Sequence, residues 1–209
     1  MRLISARMAW HDCYYTPWDS VMHHGLEGAK LGMRGYVPNE TRPDRWENLG
    51  KCAHMAIAGR VQNAIASLPM EHQAFGHHLY APVISVEQSN AWEEAAHGLL
   101  AACTAGELTR RGEKRRCDPQ TDAFYVARGV LVRYRHMVQG GMGANPDPMG
   151  SAWVFRAWLA DQHGIELDSR NWARNWGWLV QLMFDQVGEI DRLCLRPVGR
   201  VLSEEREAA

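Results

Sequence analysis

Residues Ser151 to Leu193 read SAWVFRAWLADQHGIELDSRNWARNWGWLVQLMFDQVGEIDRL, and the spacing of their apolar side chains decides the fold class. Ser151 can cap a helix start, Trp153, Val154, Ala157, Trp158 and Leu159 recur at helical spacing, and Gly164 supplies a terminator. Asp168 or Ser169 then caps a longer helix through Trp172, Trp176, Leu179, Val180, Met183, Phe184, Val187, Ile190, Leu193 and Cys194. Pro197 is expected to stop it, because proline removes a helix donor. Trp153, Trp158, Trp172, Trp176 and Trp178 fall on the apolar stripes and read as the core that locks the two helices together.

The same periodicity extends toward the N-terminus. Trp46, Leu49, Ala53, Ala56, Ile57, Val61, Ala64, Ile65 and Leu68 make 44–68 an amphipathic helix, with Thr41 as its cap and Pro43 and Asp44 in its first turn. Pro69 ends it, and a short helix over Met70 to Tyr80 stops before Pro82. Ser85 and Gln88 form a capping box for a helix through Trp92, Ala96, Leu100 and Cys103 that Gly106 is expected to close. Phe124, Val126, Ala127, Val130, Leu131, Tyr134 and Val138 suit a further helix, although their β-branched members leave a strand open. The fold expected is therefore mostly α, a multi-helix protein with a helix-turn-helix-like pair at its C-terminal end.

The corresponding domain plan has five parts. Residues 1–43 form an irregular segment with a short element around Arg2 to Tyr15, and 44–138 a helical module holding a basic loop at 107–118. A Gly/Pro linker at 139–150, a Trp-rich helical module at 151–202 and an acidic tail at 203–209 complete it.

The 209 residues carry 23 Lys plus Arg against 24 Asp plus Glu, a net charge of −1, which excludes nucleic-acid binding by bulk positive charge. The total conceals an asymmetry. Between Glu107 and Met137 stand Arg110, Arg111, Lys114, Arg115, Arg116, Arg128, Arg133 and Arg135 with four acids, a local +4 that leaves −5 elsewhere. Interleaved with Tyr125 and Tyr134, these cations suit a phosphate-facing surface, and a solvated basic loop accounts for them equally well. No apolar run approaches the ~20 residues that span a bilayer, and Met1 to Trp10 lacks the apolar centre of a signal peptide. A cytoplasmic protein with no membrane partner is expected. The five Cys are odd in number and widely spaced, which points to buried reduced thiols.

Catalytic signatures do not emerge. His72, His77, His78 and His97, with Cys103 nearby in sequence, form neither the paired-His helix motif of a zinc hydrolase nor paired thiolate ligands. There is no nucleophile elbow, and Gly140, Gly141 and Gly143 precede no phosphate-binding loop signature. The expectation is no catalytic residue, no metal and no cofactor. The start of the second C-terminal helix is better suited to DNA: Ser169, Arg170, Asn171, Arg174 and Asn175 occupy the position that enters the major groove in helix-turn-helix proteins. Arg can bond guanine bidentately and Asn adenine. The turn at Gly164 is longer than in the compact motif.

The segment from Ser151 resembles the C-terminal region of the lambda-type Q antitermination proteins of phages: a Ser-Ala helix start with an Arg-Ala pair, a short turn, a Trp- and Arg-containing helix start, then a long amphipathic helix with acidic residues. The stretch SLPMEHQAFGHHLYAPVISV, residues 67–86, is similar to the segment preceding that family's zinc-binding insertion. The two stretches together cover less than a third of the chain. The paired cysteines of the insertion are missing, so the likeness is to a zinc-free relative. The resemblance implies a regulator that binds double-stranded DNA at a promoter element, joins paused bacterial RNA polymerase holoenzyme and suppresses pausing and termination. On that basis Arg170, Asn171, Arg174 and Asn175 would read DNA, Arg156 and the basic loop would hold phosphates, and the N-terminal half would face polymerase. The competing expectation is a phage or prophage protein that modulates a host protein through a Trp-rich surface, without DNA.

Overall fold

The computed structural model describes residues 5–15, 45–82, 85–112, 122–139, 147, 149–167 and 170–208. Most of them are helical, with no strand among the described residues, so the protein is mostly α. In chain order the helices are α1 (Ala6–Asp12), α2 (Arg45–Ala66), α3 (Met70–Tyr80), α4 (Val86–Gly112), α5 (Asp122–Gln139), α6 (Ala152–His163) and α7 (Trp178–Ala208). A π-helical turn, Ala173–Gly177, leads into α7.

Local chemistry accounts for three of the starts. Ser5 accepts from the Met8 amide at 3.3 Å, Ser85 from Gln88 at 3.1 Å and Ser151 from Val154 at 3.2 Å, each satisfying a donor the helix leaves open. Gly164 ends α6 in the left-handed region, φ 66° and ψ 18°, with its N–H on the Ala160 and Leu159 carbonyls. The segment 124–138, where a strand stood open, is helical.

Three expectations about boundaries are corrected. Gly106 does not close α4, which continues to Gly112, so Arg110 and Arg111 belong to a helix rather than a loop. Pro197 does not stop α7, because Val198 and Leu202 beyond it are buried and hold the next turns in place. The segment beginning at 203 is accordingly helical as far as Ala208, and Arg60 of α2 pairs with Glu204 and Glu205 there. The expected cap at Asp168 or Ser169, the Thr41 start, most of the 1–43 segment, most of the linker, and Lys114, Arg115 and Arg116 lie outside the described residues.

The division of the chain also differs from the linear plan. One compact unit comprises residues 1–83 and 193–209, the other 84–192, so the 139–150 connector lies inside a unit and joins no two modules. Asp147 and Met149 show why. The first pairs with Arg133 of α5, and the second is buried. In the first unit α1 packs on α2 and α3. Its core holds Trp10, Ile57, Val61, Ile65, Phe75, Leu79, Cys194, Val198 and Leu202. Trp10 lies so close to Gly76 that a Cβ there would stand 2.3 Å from the indole. In the second unit α4 packs on α5 and α5 on α6, around Leu100, Val126, Val130, Leu131, Phe155, Leu159, Leu179, Met183 and Val187. The thiols divide: Cys13 and Cys194 are buried, Cys52 and Cys103 exposed.

Candidate nucleic-acid interface

The helix pair α6 and α7 lies within the second unit as far as Arg192, and its connection has a definite construction. Phe155 and Leu159, one turn apart on α6, are fully buried and fix its inward face. From Gly164 the chain needs 165–171 to reach the next helix, more than the three or four residues of a compact helix-turn-helix. Leu167 is buried within this connection, and Arg156 Nε donates to its carbonyl at 2.9 Å. Arg156, expected on phosphate, thus commits one donor to holding the connection against α6.

Just before the π turn stands Asn171. Its φ is +55°, the left-handed region that Asn enters more readily than other chiral residues. That conformation turns its carbonyl toward the amides of Arg174 and Asn175, both at 2.9 Å. Asn175 Nδ2 donates back to the Arg170 carbonyl at 3.0 Å, and the Trp178 indole donates to the Asn175 carbonyl at 3.0 Å. Trp176 is buried beneath the turn. The result is a hydrogen-bonded π turn, a backbone form often found at functional sites.

This turn brings four of the five expected base-reading residues together. Arg170, Asn171 and Arg174 are exposed and Asn175 is half-buried, whereas Ser169 lies outside the described residues. Two arginines at a helix start oppose the helix dipole, which favours anions there. For a phosphate, the same two cations and the dipole add. The five Trp separate: Trp176 is buried, Trp158, Trp172 and Trp178 are half-buried, and Trp153 is 74% exposed, so the expectation that it belongs to the core is corrected.

The basic stripe is organised differently from its expected role. Arg128 pairs with Glu94 of α4 and sits over the Phe124 ring, 5.4 Å from its centroid. Arg133 grips Asp147 with two forks, Nε to Oδ1 at 2.9 Å and Nη2 to Oδ2 at 2.5 Å, and lies 4.6 Å over Phe184. Both charges are matched inside the unit, which accounts for their presence without a phosphate. Arg135 is half-buried on α5. Glu94 and Asp147 stand 34 and 14 residues from their partners, beyond the reach of any local pattern.

Histidine chemistry contributes packing. His97 is buried, its Nε2 donates to the Phe124 carbonyl at 2.9 Å, and burial holds its pKa below the ordinary 6.5. His163 meets the Tyr125 and Trp158 rings at 5.4 and 5.2 Å, and desolvation, then Arg128, lower its pKa. Among the described residues no group of three His, Cys, Asp or Glu side chains could hold a metal ion, and no helix is long and apolar enough to cross a membrane. No protein-family model, curated protein or solved structure matches the chain.

Proposed function

We propose that this protein is a site-specific double-stranded-DNA-binding regulator of transcription that acts by antitermination, loading onto bacterial RNA polymerase holoenzyme near a promoter. The observation that carries the DNA-binding part is the π turn at a helix start, with Arg174 exposed within it and Arg170 exposed just before it. The arginines supply phosphate or guanine contacts, and Asn171 and Asn175 shape the turn that carries them. The polymerase partner and the antitermination step rest on the likeness of 67–86 and 151–193 to the Q proteins.

The test is in vitro transcription across a terminator, from a template carrying the native upstream promoter, with and without the protein. Readthrough that rises only with that promoter supports the proposal, and readthrough unchanged by the protein removes it. At the residue level, Arg174→Ala is expected to weaken specific DNA binding by about 1–3 kcal/mol, the loss of one bidentate base contact. Binding equal to wild type in a mobility-shift assay would take Arg174 out of the interface.

One observation favours a second reading. Trp153, at the start of α6, is the kind of exposed aromatic that anchors protein partners. If the chain modulates a host protein without DNA, Trp153→Ala abolishes that complex, and promoter DNA and heparin leave it unaffected.

A further inference from the structure

The second unit contains an open cleft of about 390 Å³ beside the π turn. Its walls include Met137, Met149, Phe155, Trp172, Phe184 and Asp185. That volume falls within the range of about 300–1,000 Å³ typical of small-molecule sites, and three aromatic rings and two thioethers share a mixed lining with polar groups, among them Ser151 and Gln181. The ionic groups on the lining are Arg133 and Asp185. Arg133 is held by Asp147 and stacked on Phe184, so its charge is matched. Asp185 is exposed and accepts from Gln181 Nε2 at 2.9 Å, a neutral donor that leaves its charge in place. An anionic rim over aromatic walls selects a cation attached to a flat ring, through carboxylate pairing and cation–π attraction.

The position of the cleft gives it a consequence. Trp172 and Gly177 line it and bracket the π turn that carries Arg174 and Asn175. A Cβ at position 177 would meet the Trp172 carbonyl at 3.5 Å and its indole at 3.7 Å, so the two ends of the turn lie close together at the cleft wall. A ring seated against Trp172 would hold both ends in one arrangement.

We propose that this cleft binds a small aromatic ammonium compound and that its occupation strengthens DNA binding by fixing the π turn. The second half rests on the DNA-binding reading above, and the first half stands without it. A ligand that orders the turn removes part of the ordering cost that DNA would otherwise meet, which makes the two bind cooperatively.

The experiment uses the full chain with tryptamine as the probe and indole-3-propionate as its anionic counterpart, followed by calorimetry. Saturable 1:1 binding of tryptamine, at least about tenfold tighter than the anion, is expected from a single ion-pairing contact. Ala152→Leu, at a half-buried lining position in the first turn of α6, should fill the cleft and abolish binding, while Asp185→Asn, on the surface, should erase the preference for the cation. Circular dichroism checks that both variants fold. Absence of saturable binding, equal binding of both probes, or wild-type binding by both variants would overturn the site. In the second arm, saturating tryptamine should tighten binding to promoter DNA by about fivefold or more in the wild type and not in Ala152→Leu. Tryptamine binding with unchanged DNA affinity overturns the coupling. Tryptamine binding by a protein that binds no DNA overturns the DNA-binding reading and leaves the site in place.

Discussion

Asn171 shows at a single residue how side-chain identity and backbone role separate. By type it is an adenine reader; by conformation it is the residue whose φ of +55° starts the π turn. Asn is tolerated in this region, Gly enters it without cost, and Ala pays roughly 1–2 kcal/mol for its Cβ. Asn171→Gly should therefore keep the melting temperature and DNA affinity of the wild type, whereas Asn171→Ala should lose about 1 kcal/mol of stability and bind DNA more weakly. Equal loss of DNA affinity in both, without loss of stability, would mean that the side chain contacts bases. The residue types at 170–175 were legible in the sequence. The left-handed φ was not, since Asn occurs at caps, turns and base contacts alike. Arg128 and Arg133 looked like phosphate ligands for a related reason: their partners Glu94 and Asp147 are distant along the chain, and only the fold brings them together.

At the scale of elements, the sequence was most informative where a helix begins and least where it ends. Ser85 and Ser151 cap as their positions imply, because a cap is a contact within four residues. Ends depend on what lies beneath the next turn. Pro197 shows this: an isolated helix would stop there, but Val198 at 0% and Leu202 at 4% exposure carry α7 onward. Proline in a helix interior removes one backbone hydrogen bond and crowds the preceding turn, at up to ~3 kcal/mol. Since packing already holds the helix through this point, Pro197→Ala should stabilise the protein by about 1–3 kcal/mol, less the entropy proline withholds from the unfolded chain. A shift of the urea midpoint to higher concentration at unchanged slope would show it. A lower midpoint would mean that the proline ring is part of how α7 packs.

On the scale of the whole molecule, both units place histidines where charge is unwelcome. In the first, the Trp10 indole donates to His77 Nδ1 at 3.4 Å, and desolvation lowers the pKa of that ring. In the second, His97 and His163 are shifted the same way, His97 by burial against a partly offsetting bond to the Phe124 carbonyl. A histidine whose folded pKa lies below its unfolded 6.5 binds more protons when unfolded, so its neutral form favours the fold. The stability it contributes is complete above pH 6.5 and is lost as the pH falls from there toward the folded value. Protonation of His77 would also remove the acceptor that Trp10 uses, and protonation of His97 would place a cation near Arg128. The melting temperature should therefore be level above about pH 7 and decline between about pH 6.5 and 5, before most carboxylates titrate. His97→Gln keeps a donor for the Phe124 carbonyl while removing the titration, and should flatten part of that decline. A melting temperature that stays constant from about pH 7.5 to about pH 5.5 would mean that these rings accept protons in the fold as readily as in water.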